Sequence, residues 1–159
     1  MLTEAQRTTL VADILANQDT ADKYAIGDLS SLAELYNAAA APAFTVWRSV
    51  LTPEQARTAI TGGDGLAQLD NLTAGKRDSL FWTFDGNTYP ANADQRAAIV
   101  NLCGTQATLK AAILAAQKRL ANRAEAIYAT GTGTTAVPGL LGWEGQLSVN
   151  DVSTALNNY

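Results

Sequence analysis

Histidine is absent from the 159 residues, which removes the side chain most often used for proton transfer near neutral pH and the commonest metal ligand. Cys103 stands alone, so an intrachain disulfide and a cysteine-built zinc site are excluded, and its expected role is that of a small buried apolar residue. No apolar run approaches the roughly 18 residues that would suggest a membrane span. The opening MLTEAQRTTL also lacks the basic-then-apolar order of a secretory signal. A soluble chain made in the cytoplasm, with no membrane partner, is the expectation. Lys and Arg number 11 against 15 Asp and Glu, a net charge of −4 that does not favour unspecific attraction to nucleic acid or anionic lipid.

What the chain has in abundance is alanine, 30 residues, which takes up about two fifths of the 47% hydrophobic share. Alanine has the best helix propensity and little bulk to hold two backbones apart, so the composition predicts a mainly α domain with one modest core of larger side chains.

Local signals place the helices. Thr3 with Gln6 forms a capping-box pattern opening a helix over 4–16, and a polar stretch from Asn17 to Asp22 follows. Asp28 caps a helix over 29–40 whose Leu29, Leu32, Leu35 and Tyr36 share a face, and Pro42 lies beyond it. Thr52-Pro53-Glu54-Gln55 combines a Thr cap, a Pro at the first helical position and a closing Gln, which predicts a helix over 53–61 ended by Gly62-Gly63-Asp64-Gly65. Thr73 or Asp70 caps the next helix, which carries Leu80, Phe81 and Phe84 beside Trp82. Asn92 with Gln95 opens another that Gly104 stops.

Leu109, Ile113, Ala116, Leu120, Ala124 and Ile127 step by three or four, so the periodicity predicts one long central helix over about 105–129. Beyond it lies a stretch dense in Gly and Thr, with a possible strand over 146–148 and a last helix capped by Ser148 with Asp151. The expected organisation is a helical bundle over 1–130 and a Gly-rich C-terminal arm over 131–159, irregular but open to a short β strand or hairpin.

Gly131, Gly133 and Ala136 match the letters of a dinucleotide fingerprint. The context excludes it, because a helix precedes and Val137-Pro138-Gly139 follows where a strand and a helix are required. Asp64 reads as part of a flexible turn, and no spacing brings Glu125 and Asp151 together as a catalytic pair. Neither an enzyme nor a cofactor is expected. Trp47 and Trp82 are read as packing residues, whereas Trp143, among glycines, is open to docking on a partner or on its own domain. Lys110, Lys118, Arg119 and Arg123 make the long helix basic while Met1–Trp47 is acidic. Such polarity suits contacts between neighbouring copies, or, as an alternative, a DNA-contacting face.

Several blocks taken together resemble a family of small structural proteins of tailed bacteriophages, the neck proteins that act as head-to-tail connectors or head-completion adaptors. They are Leu2–Gln6 through Ile14–Asn17, Tyr36-Asn37 leading to Pro42–Phe44 and Val46–Arg48, Asp70–Leu72 with Gly75-Lys76, Lys118–Glu125 with Thr130–Gly133, and Trp143–Gly145 before Val149–Val152. The resemblance implies a non-enzymatic virion protein assembled in the host cytoplasm. The same resemblance implies a ring of twelve copies at the head-tail junction of the virion, bound to the portal protein on one side and a downstream neck or tail protein on the other. Through such a ring DNA is expected to pass without sequence-specific binding. It further implies that Leu140–Tyr159 embraces the portal, which makes Leu140, Leu141, Trp143, Val149, Val152 and Tyr159 the candidate docking residues. Another neck or tail-completion role is the alternative within this class.

Overall fold

The computed structural model describes residues 1–62 and 65–157. Helix makes up 59% of the structure, which is the mainly α fold expected from the composition. The chain divides into two compact units. Unit 1 comprises Met1–Val46 and Leu120–Tyr159, and unit 2 comprises Trp47–Arg119. Each has its own hydrophobic core in place of the single core that was expected.

Unit 1 contains α1 (Glu4–Ala16), α2 (Gln18–Ala25), α3 (Leu29–Asn37), α9 (Arg123–Tyr128) and α10 (Val149–Asn157). Its core joins Leu10, Val11 and Ile14 of α1 to Leu32, Ala33 and Tyr36 of α3, Ala124 of α9, and Leu147, Val152 and Ala155 near the C-terminus. The predicted capping box of α1 is present, with the Gln6 amide donating to Thr3 Oγ1 and the Thr3 amide to Gln6 Oε1. Helix α2 occupies the stretch read as merely polar. Thr20, fully buried on it, turns its hydroxyl to the carbonyls of Ile14 and Asn17.

Unit 2 contains α4 (Pro53–Thr61), α5 (Gly65–Asp70), α6 (Ala74–Thr83), α7 (Ala93–Cys103) and α8 (Ala107–Ala116). Leu51, Ile60, Leu69, Leu80, Phe84, Ile99, Leu109 and Ile113 fill its core. Cys103 is fully buried there, its thiol pushed up by desolvation, in keeping with the apolar role read from the sequence. Gly63 and Asp64, and with Asp64 the turn assigned to it, lie outside the described residues.

The long helix over 105–129 is corrected. Residues 107–128 form α8, a strand β2 (Lys118–Leu120) and α9; β2 pairs antiparallel with β1 (Thr45–Trp47). One local signal and one long-range pairing end the helix. Asn122 adopts an extended conformation (φ −77°, ψ 171°) and caps α9, exchanging hydrogen bonds with Glu125 in a full capping box. The helical hydrogen bonds lost over this stretch are replaced by Arg48 N–H to Gln117 O and Ala121 N–H to Phe44 O, both 2.9 Å. The evenly spaced apolar residues serve two cores, α8 burying Leu109 and Ile113 in one and α9 burying Ala124 in the other. Leu120, between them on the supposed stripe, is 60% exposed.

Gln117, at the end of α8, is fully buried, and neither its side-chain oxygen nor its nitrogen has a hydrogen-bond partner. An unmatched buried amide costs roughly 1–3 kcal/mol. Replacing Gln117 by Met, similar in volume and without the amide, is therefore expected to raise the thermal midpoint by about 2–5 °C, measured by circular dichroism.

The C-terminal stretch shows no strand over 146–148 among the described residues, but it does contain a hairpin-like closure. The amides of Thr130 and Leu140 each donate to the other's carbonyl at 2.9 Å. Ser148 and Asp151 cap α10 as read, and the Ser148 hydroxyl and amide hold the Asp151 carboxyl below its ordinary value. Its folded value being lowered, that contribution is present above the ordinary carboxylate range and is lost as the pH falls through the lowered value.

Candidate functional site

The residues singled out on the sequence take up quite different places. Lys110 lies on α8, where its charge partly offsets the effect of burial on the Cys103 thiol. Lys118 and Arg119 are on β2, and the Lys118 ammonium and the Arg96 guanidinium lie 5.2 Å and 4.3 Å from the centre of the Trp47 ring. Arg123 is on α9, where its Nη2 donates to Asp13 Oδ2 at 2.9 Å and its guanidinium lies 4.7 Å over the Tyr36 ring. Four basic residues spread over three elements do not form one basic helix face. The alternative of a DNA-contacting helix has lost that geometry.

Candidate docking residues in the C-terminal segment are largely taken up by unit 1 itself. Val152 is fully buried, Leu141 is half-buried, and Trp143 packs on the core with its ring edge-on to Tyr128, centroids 5.8 Å apart. Only Leu140 and Val149 of the described candidates are substantially exposed, and Tyr159 lies outside the described residues. Polar clamps hold the segment. Asn37 exchanges two hydrogen bonds with the backbone of Leu147, at 2.8 and 2.7 Å. The Asn122 side chain donates to Gly145 O at 2.8 Å, and the buried Glu125 carboxylate accepts from Gly145 N–H at 3.2 Å.

Glu125 and Asp151, weighed on the sequence as catalytic carboxylates, thus both serve helix caps. Gly133 of the supposed dinucleotide fingerprint has a packing role, shared with Gly139 beyond it. A Cβ on Gly133 would lie 2.2 Å from the Phe44 ring and one on Gly139 2.6 Å from it, so the two backbones close on that ring. Among the described residues no group of three or more His, Cys, Asp or Glu is arranged to hold a metal ion, and no helix is long and apolar enough to cross a membrane.

Two open surfaces were not legible in the sequence. In unit 2, Trp82 is 83% exposed on α6, contrary to its reading as a packing residue, and Phe81 beside it and Leu66 are each 51% exposed. A depression of about 550 Å³ is lined by Trp82 and Leu102 among others, and a smaller one of about 170 Å³ by Leu66, Phe81 and Phe84 among others. The signal missed was the run Leu80-Phe81-Trp82-Thr83-Phe84. Its apolar side chains span more of a helix's circumference than one core can cover, and Leu80 and Phe84, four apart, take the buried side. In unit 1, a groove of about 610 Å³ is lined by Asp13, Asp19, Leu35, Ala38–Pro42 and Ile127 among others.

No protein-family model, no curated protein and no solved structure matches the chain.

Proposed function

We propose that this chain is a structural, non-enzymatic virion protein: an adaptor that forms a ring between the portal and the tail-side neck of a tailed bacteriophage. The observation that carries the reading is the resemblance of the sequence blocks, joined to where those blocks lie. Tyr36-Asn37, Pro42–Phe44, Lys118–Glu125, Thr130–Gly133 and Trp143–Gly145, scattered along the chain, supply Asn37, Phe44, Asn122, Glu125, Gly133 and Gly145. These are the residues that clamp the C-terminal segment and seat the Phe44 ring. Blocks that share a folding role are what a common framework would preserve.

The exposed aromatic patch of unit 2 supports the assembly part of the reading. A tryptophan 83% exposed beside an exposed Phe and Leu is an unusual surface for a solitary chain and a usual anchor for an interface. Particles containing the chain, probed with a labelled antibody under the electron microscope, are expected to carry it at the head-tail junction. Label elsewhere, or absence from purified particles, overturns the reading. Trp82→Ala is expected to leave the circular dichroism spectrum unchanged while weakening association between copies about 10- to 30-fold, measured by sedimentation. The alternative of another neck or tail-completion protein shares this assembly prediction and differs in the position of the label.

A further inference from the structure

We infer that the groove of unit 1 is a docking site for an extended peptide segment of a partner protein, carrying Lys or Arg among small apolar residues and held by pairing with the free edge at Ala39. The edge follows from the backbone. Ala39 bridges Asn122 in antiparallel fashion, through Ala40 N–H to Ala121 O at 3.1 Å and Arg123 N–H to Ala38 O at 2.9 Å. In a bridge made by the flanking residues, the N–H and C=O of the central residue point to the opposite side. Those of Ala39 meet no hydrogen-bonding group among the described residues, and Ala38–Pro42 lines the groove. An extended chain laid there would take both groups, as strand addition does elsewhere.

The walls select the side chains. Leu35 and Ile127 offer apolar surface, and Ala38–Pro42 has no side chain long enough to obstruct an approaching backbone. Asp19 is exposed at the groove, and unit 1 as a whole has only Arg7, Lys23 and Arg123 against nine Asp and Glu. Lys23 and Arg123 are moreover already paired with Asp28 and Asp13. Asp13 Oδ2 accepts from both Arg123 Nη2 and the Tyr36 hydroxyl. A basic segment complements that field and an acidic one opposes it. This inference does not depend on the neck reading; a partner of either kind of assembly could supply the segment.

Nuclear magnetic resonance on the isotope-labelled full chain tests it, with an eight-residue peptide of alternating Val and Lys, blocked at both ends, as the probe. Shifts centred on Ala39 and its neighbours, and slower exchange of the Ala39 amide, are expected. The same peptide N-methylated at alternate residues keeps its side chains and loses its donors, and is expected to bind at least tenfold more weakly; a Val-Glu peptide is expected to fall off similarly. Ala39→Pro removes the free amide without touching the pairing to 121–123, and Ala38 is already extended (φ −68°, ψ 161°) as a residue before proline must be. It is expected to abolish the response. Absence of shifts at millimolar peptide, equal binding of the N-methylated peptide, or shifts at Ala39 that depend only on the concentration of the chain itself would each overturn the proposal, the last by showing a second copy as the occupant.

Discussion

Removal of residues 140–159 is expected to unfold unit 1 and not merely to detach an arm. Leu147, Val152 and Ala155 are 3%, 0% and 1% exposed and belong to the core that contains Leu10, Ile14, Leu32 and Tyr36. Burial of a Leu or Val side chain contributes about 1.5–3 kcal/mol, and the deletion uncovers the α1 and α3 residues beneath as well. It also takes away both partners of Asn37 and the Gly145 amide that Glu125 holds, leaving polar groups unmatched where they are buried. The sum is comparable with the whole stability of a domain, about 5–15 kcal/mol. Circular dichroism should therefore lose more helix than the nine residues of α10 contain, and limited proteolysis should cut within 1–46. A truncated chain that keeps the helicity of α1 and α3 would show that the segment is dispensable to the core. Leu140→Ser with Val149→Ser, at 43% and 46% exposure, touches the same segment without entering the core. That pair is expected to fold normally, and it is the variant with which to ask whether the segment also docks on a partner.

The second large effect is expected at Gly133. Its φ of +66° lies in the left-handed region, and an added Cβ would stand 2.2 Å from the Phe44 ring, so Gly133→Ala combines backbone strain with a collision. Overpacking and an unfavourable φ each cost about 1–3 kcal/mol, so a destabilisation of about 2–5 kcal/mol is expected in denaturant titration. The mechanism makes a further demand. In the background of Phe44→Ala, where the ring is gone, the same substitution should cost only the part due to φ, so the two changes should be markedly non-additive. Equal costs in both backgrounds would show that the ring is not what Gly133 accommodates.

Much of the helical outline was readable because its signals are local. The capping boxes at Thr3 and Thr52, the Asp28 and Asn92 caps and the Gly104 stop act within one turn, and the structure places all of them as read. Asn122 with Glu125 is a further local signal, itself a capping box that marks a helix start inside the supposed long helix. Helix α2 and the strand β1 carry weaker signals. Thr20 is buried through hydroxyl bonds, and Thr45-Val46-Trp47 is too short a run to distinguish a strand from a loop.

For the candidate sites, residue type alone was a poor guide. Trp143 and Trp82 were assigned by their sequence neighbours, glycines in one case and aromatics in the other, and the structure reverses the exposure expected of Trp82. Burial depends on which face of a helix meets a core, and that is decided by elements far away in the chain.

The sequence by itself determined that this protein is mainly helical, where most helices begin and end, and that it has neither histidine nor a pair of cysteines with which to build the commonest chemistries. Tertiary structure alone decided that the evenly spaced apolar residues from Leu109 to Ile127 serve two cores, and that the C-terminal segment belongs to the same unit as the N-terminus. It also decided that Trp82 and the Ala39 edge are left open. The physical reason is one of range: capping and propensity act over four residues, whereas a core is assembled from residues a hundred or more apart, as Asn37 and Leu147 are, and no local pattern records which of them will meet.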